Sequence, residues 1–342
     1  DSTLAEAYIG MGLVHTRRYF RGWFSGGEGA LETARQEFRR AIALDPRSGE
    51  ARGGLVRTLW EKGRSVECLQ LLKEIPAENA ENFTDLMVRG EGYVLSGLSE
   101  RAIPYLEHTT EVDHDSDWAA WMLTLAYAFS ERYRDATVAG KRFLARFGDD
   151  REILHWLSLS QFALGEVWEA EASCRQEIEA GPSSIGDNDG RYNLFAGCLL
   201  DKLGKQEEAK KAWAEGLQTV DERLIAQSDN LRMHALRAAF CVLLGKEQQL
   251  ASEQRLLFQD LGRSGYGENM MFFALALAKR GKSDEAARIL RGAAAARVVS
   301  PYTFLFRHPA FKADVESGDH SGQVRAALAE LESVTKSVNS AF

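Results

Sequence analysis

The sequence predicts an all-α fold, a right-handed superhelical solenoid of antiparallel helix pairs. Small residues recur every 34 positions, at Ala34, Cys68, Ala102, Ala136 and Ala170. Five residues before each of them runs a second series with the same period, at Gly29, Gly63, Gly97, Glu131 and Gly165. Two series in register, with a period in the range of about 20 to 50 residues, are typical of stacked repeats.

The composition of each unit explains the period. A unit contains two amphipathic segments with apolar residues three and four positions apart, separated by a glycine turn. The glycine permits a left-handed backbone where the first helix ends. The small residue, such as Ala102, marks the place where the second helix crosses the first most closely, so a larger side chain there would push the helices apart.

The pattern continues with gradual loss of regularity. Gly197, Gly204, Ala209 and Trp213 mark a sixth unit, and two more degenerate units follow, so about eight repeats occupy residues 5–300. After Pro301 the pattern stops, and residues 322–338 predict an amphipathic helix that caps the stack. We therefore expect a repeat domain over 1–300 and a C-terminal segment over 301–342, packed on the solenoid as one body.

Three stretches interrupt the period and predict surface loops. They are residues 21–30, which carry about ten extra residues rich in aromatic side chains and glycine, residues 183–190, and residues 221–230.

These residues resemble the tetratricopeptide repeat family. The likeness is plainest in residues 31–46, LETARQEFRRAIALDP, and in residues 90–106, GEGYVLSGLSERAIPYL. In these segments it rests on Ala34, Phe38, Ala41 and Pro46, and on Gly90, Tyr93, Ala102 and Leu106. The resemblance implies a helical binding scaffold rather than an enzyme, but the family is functionally broad and names no partner.

Composition excludes several classes of function. The formal net charge of −8 and the lack of a clustered basic patch argue against nucleic-acid binding. The longest apolar runs are shorter than the roughly 20 residues that cross a bilayer, so no membrane span is expected. The chain begins at Asp1 without a leader, which leaves the compartment open between the cytoplasm and, if a leader has been removed, the periplasm.

No catalytic, metal or cofactor site is predicted. Gly281-Lys282-Ser283 lacks the earlier glycine of a phosphate-binding loop, and residues 187–190 lack the first and last oxygen ligands of a calcium loop. The cysteines are far apart and fall on apolar helical faces, which predicts four buried thiols: Cys68, Cys174, Cys198 and Cys241.

One helix is apolar on more than one face. Trp118, Met122, Leu125 and Phe129 follow one another at i, i+4, i+7 and i+11, and a second apolar face lies beside them. Such a helix is either covered on both sides or presents a hydrophobic surface.

The resemblance implies that the first helix of each unit lines a concave groove. The candidate binding residues, here called the concave stripe, are Met87, Trp118, Trp121, Met122, Leu125, Phe129, His155, Trp156, Phe162 and Phe195. The polar side chains with which chaperone-binding members clamp a peptide carboxylate are missing at the corresponding places.

We therefore expect a scaffold that holds a protein segment or peptide in an apolar groove. The alternative is a carrier that encloses a small hydrophobic ligand, such as a lipid, in the same groove. Sequence also leaves open that the superhelix is tight and that the stripe packs on neighbouring helices or on the C-terminal segment.

Overall fold

The computed structural model describes residues 2–21, 27–61, 64–75, 82–180, 190–259 and 268–341. Within these ranges the chain is helical and contains no strand, and sixteen helices follow one another in eight pairs. The pairs are α1 (Ser2–Arg21) with α2 (Gly27–Leu44), α3 (Gly49–Glu61) with α4 (Ser65–Lys73), α5 (Phe83–Leu95) with α6 (Ser99–Val112), α7 (Asp117–Phe129) with α8 (Tyr133–Phe147), α9 (Arg151–Ala163) with α10 (Val167–Glu179), α11 (Arg191–Lys202) with α12 (Gln206–Ala226), α13 (Leu231–Leu244) with α14 (Glu247–Gln259), and α15 (Glu268–Lys279) with α16 (Ser283–Ala295). The predicted helical solenoid is confirmed.

Local sequence explains where the helices begin and end. Asn82, Ser116, Asp150 and Asn230 cap the first helices of four pairs by accepting hydrogen bonds from backbone N–H groups of the first turn. The turns within the pairs have a left-handed residue, with φ of 71° at Gly97, 80° at Gly165, 78° at Gly204, 70° at Gly245 and 71° at Gly281. Glu131, the departure from the glycine series, adopts the same conformation with φ of 59°. The predicted turn at Gly63 lies outside the described residues.

Small residues set the distance between paired helices. Ala102, Ala136 and Ala170 are fully buried. A Cβ atom on Gly90 would overlap Leu106, and one on Gly197 would overlap the Trp213 ring sixteen residues later. Glycine on the first helix therefore makes room for a large side chain on the second.

The predicted insertions have different outcomes. Residues 22–26, and all but the last residue of 183–190, lie outside the described part of the chain, whereas residues 27–30 belong to α2 and not to a loop. The loop expected over 221–230 is wrong for its first half, because α12 continues to Ala226 and only residues 227–230 form a turn. The added residues lack glycine and proline, and Leu224 and Val220 are buried, so the helix simply extends by further turns.

The chain after α16 returns through the interior of the solenoid. A 3₁₀ helix (Pro301–Phe306) contacts α7 and α15, and α17 (Pro309–Gly318) contacts α9, α11 and α15. The last helix, α18 (Gln323–Ala341), packs against α16. Its end reaches two earlier pairs, where Lys73 Nζ donates to the Ala341 carbonyl at 2.9 Å and Arg101 donates to the Asn339 carbonyl at 3.1 Å.

The solenoid also contacts its own beginning. Arg232 on α13 forms an ion pair of 3.0 Å with Glu61 on α3, and both side chains are almost fully buried. Near this contact Ser65 Oγ donates to the Val299 carbonyl at 2.9 Å. The repeats therefore turn far enough for the seventh pair to meet the second.

Candidate functional site

The concave stripe lies on α5, α7, α9 and α11, the first helices of four consecutive pairs. Most of its side chains are buried: Met87, Trp121, Met122, Leu125, Phe129, His155, Trp156 and Phe195. Trp118 and Phe162 are partly exposed. The stripe is therefore mainly interior surface in this structure.

Aromatic rings form the centre of the stripe. Phe129 and Trp156 meet edge to face with centroids 4.8 Å apart. The 3₁₀ helix lies on this pair, with Tyr302 at 5.3 Å from Phe129 and 6.3 Å from Trp156, and Phe304 at 5.6 Å and 6.2 Å from the same two rings. Such offset and edge contacts stabilise an aromatic cluster by about 0.5–1.5 kcal/mol per pair beyond burial.

The cluster continues along the solenoid axis to Phe195. Its ring lies 6.2 Å from Phe311 on α17 and 4.8 Å from Phe272 on α15, and Phe272 in turn lies 4.9 Å from Tyr302. We call Phe129, Trp156 and Phe195 the concave aromatic face. It is a surface of three successive pairs that holds a segment of the same chain.

Within the described ranges the centre of the concave stripe is covered rather than open. Residues 301–311 fill the space in front of Phe129, Trp156 and Phe195, and Tyr302, Phe304, Leu305, Phe306 and Phe311 are buried there. The physical reason is the apolar character of the C-terminal segment, whose aromatic side chains lose contact with water by packing on those of the face. No observation tests whether the stripe binds a partner, so its binding role stays a prediction.

The other end of the stripe has a different environment. Trp118 and Trp121 are stacked with centroids 5.0 Å apart, and the Arg57 guanidinium lies 4.8 Å over the Trp118 ring. Arg57 is held by an ion pair of 2.8 Å with Glu91. Met87 belongs to the buried core beside them. This arrangement covers most of the tryptophan surface without the C-terminal segment.

Three ionisable side chains behind the aromatic face are unusual. His155 and Glu177 are both fully buried, with His155 Nδ1 3.3 Å from Glu177 Oε1. Glu152, one turn earlier on α9, accepts a hydrogen bond of 3.3 Å from Trp156 Nε1. Burial raises the pKa of Glu152 to about 8. The carboxyl group thus orients the central tryptophan, and ionising it is unfavourable in the folded protein.

His308 holds the C-terminal segment at its bend. It is fully buried, and its Nδ1 accepts a hydrogen bond of 3.2 Å from the Ala310 backbone N–H at the start of α17. Its ring lies 5.3 Å from Tyr133 and 5.7 Å from Phe311. Burial lowers the pKa of His308 to about 3, so the ring is neutral and able to accept that bond at neutral pH.

The four cysteines are buried and unpaired, as the sequence predicts. Burial raises the pKa of Cys68 to about 12 and that of Cys241 to about 11, so both thiols stay protonated and unreactive at neutral pH. The described ranges hold no group of three or more potential metal ligands. None of the helices described is both long and apolar enough to cross a membrane.

Sequence reasoning missed the residues that occupy the face. Tyr302, Phe304 and Phe306 alternate along the chain directly after Pro301. This alternation differs from the helical spacing of the repeats, and it could have indicated a segment that is buried without being a repeat helix.

Residues 27–86 match the tetratricopeptide repeat family. This part of the chain resembles tetratricopeptide repeats. Proteins built from tetratricopeptide repeats are in general non-catalytic scaffolds for protein interaction. No curated protein sequence matches the chain.

Solved structures of tetratricopeptide repeat proteins are similar to parts of the chain. A thermophilic repeat protein of Thermus thermophilus is 22% identical, with a TM-score of 0.43 over 56% of this chain and 98% of that one. Pseudomonas aeruginosa PilF is 17% identical, with a TM-score of 0.47 over 62% and 90%. A tetratricopeptide repeat protein of Parabacteroides merdae is 14% identical, with a TM-score of 0.48 over 65% and 83%.

Proposed function

We propose that this protein is a non-enzymatic binding scaffold whose concave aromatic face holds a protein segment rich in aromatic side chains. One observation supports the proposal: the face already holds such a segment, since Tyr302 and Phe304 pack on Phe129 and Trp156. In this proposal residues 1–300 are the repeat domain, and residues 301–342 fill and cap it. The partner is a protein or peptide, and no cofactor takes part.

Residues 298–311, here called the built-in segment, already lie on the concave aromatic face and show which chemistry a partner must have to bind there. Its buried side chains are aromatic or aliphatic, and each contributes roughly 1.5–3 kcal/mol when it leaves water. A partner segment therefore needs aromatic residues at similar spacing, together with little charge at the positions that enter the face. The concave stripe identified from sequence is the surface that would contact it.

The built-in segment also limits when a partner can bind. A tethered segment has a high effective concentration, in the millimolar range for short linkers, so it competes strongly with a segment on another molecule. Binding in trans then requires that residues 298–311 leave the face, and the apparent affinity falls by the fraction of molecules in which they have left. The scaffold is thus closed in its resting state.

A labelled peptide of residues 298–311 tests this proposal. We expect it to bind the full chain carrying Tyr302→Ala and Phe304→Ala at least tenfold more tightly than the unchanged chain, because those substitutions weaken the built-in segment. Adding Trp156→Ala should abolish the gain, whereas Ile225→Ala, an exposed position on α12, should not. Hydrogen exchange of residues 298–311 reports whether the segment has left.

Two outcomes would contradict the proposal. One is a released segment without peptide binding, and the other is equal binding when Trp156 is truncated. The carrier alternative uses the same face, and native mass spectrometry of the weakened variant distinguishes it. A bound species of lipid mass that depends on Trp156 would favour the carrier over the protein scaffold.

A further inference from the structure

One tryptophan lies on the outside of the solenoid. Trp168, the second residue of α10, is 84% exposed, and Leu164 and Val167 beside it are 38% and 41% exposed. We call Leu164, Val167 and Trp168 the Trp168 ridge. Leaving an indole ring in water is unfavourable unless it serves a contact, and tryptophan is enriched among residues that dominate binding interfaces.

The repeat register shows how unusual this residue is. The third position after the left-handed turn residue, which Trp168 occupies in the fifth pair, holds Glu100, Arg134, Glu207, Gln248 and Asp284 in other pairs, and all five are exposed. In the second pair the position holds Val66, which is partly buried against the core. Only in the fifth pair does this position combine an apolar side chain with full exposure. Packing therefore gives no reason for Trp168.

The C-terminal segment covers the corresponding rim of the second, third and fourth pairs. Ser65 binds the Val299 carbonyl, a Cβ atom on Gly97 would touch Ser300, and Tyr133 packs on His308. At the fifth pair a Cβ atom on Gly165 would meet nothing within 4 Å. Cβ atoms on Gly204 and Gly245 would likewise meet nothing, so the Trp168 ridge belongs to the rim of the fifth to seventh pairs, which residues 298–308 leave uncovered.

The negative charges beside the Trp168 ridge limit which surfaces can bind there. Glu166 and Glu169 flank Trp168, and neither has a salt-bridge partner in the part of the chain that the structure describes. Two copies of the chain that met ridge to ridge would bring like charges together, and an anionic bilayer would be repelled. A surface with Lys or Arg around an apolar pocket satisfies both the indole and the carboxylates.

We propose that the Trp168 ridge is a second docking surface, separate from the concave aromatic face, for a protein that presents an apolar pocket bordered by basic side chains. Trp168 fills the pocket, and Glu166 and Glu169 pair with the basic rim. The ridge and the aromatic face share no residue, so an experiment can contradict docking at the ridge without contradicting binding at the aromatic face.

A random 12-residue peptide display library, selected on the full chain and counter-selected on Trp168→Ala, tests the ridge. We expect enriched peptides that combine Lys or Arg with large apolar residues. Synthetic versions should bind Trp168→Ala at least tenfold more weakly, and they should lose affinity for the Glu166→Lys, Glu169→Lys double variant and at raised salt. The matched control, Ile225→Ala, removes another exposed apolar side chain, 85% exposed, and should leave binding unchanged.

Stability is measured in parallel, and none of these exposed substitutions should lower the melting temperature. The proposal is overturned if no peptide survives counter-selection, if survivors are neutral or acidic, or if Ile225→Ala weakens binding as much as Trp168→Ala.

Sedimentation equilibrium and flotation with phosphatidylserine vesicles complete the test. Self-association or vesicle binding that disappears in Trp168→Ala would assign the ridge to a second copy or to a membrane instead. Peptides whose binding is lost in Trp156→Ala but not in Trp168→Ala bind the aromatic face, and they do not support docking at the ridge.

Discussion

The Phe129 ring on α7 and the Tyr302 ring of the 3₁₀ helix meet with centroids 5.3 Å apart and planes inclined at 63°. This contact joins the fourth repeat pair to a segment that follows the last pair. It makes the C-terminal segment part of the hydrophobic core rather than a tail on its surface.

Phe304→Ala should therefore destabilise the protein by about 3–5 kcal/mol, as expected for truncating a buried aromatic side chain. Trp168→Ala, although it removes a larger ring, should change the free energy of unfolding by less than about 0.5 kcal/mol because that ring is exposed. Urea unfolding monitored by circular dichroism measures both values. Equal effects would show that the C-terminal segment is not packed as described.

The helix crossings offer a second test. Ala136 is fully buried between paired helices, and Ala136→Leu should overpack the crossing and destabilise by roughly 1–3 kcal/mol. Ala145→Leu, on the exposed side of the same helix, is the matched control and should have little effect. Thermal melts of the two variants separate the outcomes, and an unchanged melt for Ala136→Leu would refute the repeat register.

Acid should weaken the protein through His308. Its pKa is lowered by burial from the ordinary 6.5 to about 3, so the unfolded chain binds the proton and the folded protein does not. Stability from this group is complete above pH 6.5 and is lost as the pH falls toward 3, by up to about 1.4 kcal/mol per pH unit. Denaturant titrations between pH 7 and 4 should show a steeper loss for the unchanged chain than for His308→Gln, which cannot titrate.

Glu152 should act in the opposite direction. Its pKa is raised by burial from 4.5 to about 8, so the folded protein keeps a proton that the unfolded chain has lost. Stability from this group is complete below pH 4.5 and decreases as the pH rises toward 8. Glu152→Gln keeps an oxygen for the Trp156 N–H and removes the charge, so its advantage over the unchanged chain should grow between pH 5 and 8. A constant difference across that range would contradict the assignment.

A buried ion pair provides the last test. Arg232→Ala leaves the Glu61 carboxylate without that partner, and breaking such a pair destabilises by about 3–5 kcal/mol. Lys210→Ala breaks the exposed pair with Glu207 and should change stability by less than about 1 kcal/mol. Equilibrium unfolding of both variants at low and high salt provides the comparison.

The repeats could be predicted from the sequence because each unit is defined by residues that lie close together in the chain. The glycine and alanine series correctly predicted the turns at Gly97 and Gly165. Glu131, which replaces glycine at the same position of its unit, also adopts the left-handed conformation. The sequence could not predict whether the concave aromatic face is open or covered. Trp156 is the same residue whether its ring is exposed to water or packed against Tyr302. That distinction depends on a contact between residues far apart in the chain, for which no periodicity gives a signal.

The contact between Arg232 and Glu61 changes how such a chain can come apart. An open row of repeats has two free ends, and each terminal unit can unravel while the middle persists, because every unit depends only on its neighbours. Here the seventh pair supports the second, and the C-terminal segment threads through the middle. These contacts couple units at the two ends of the repeat domain, so global unfolding should occur in a single cooperative transition rather than by fraying of the terminal units.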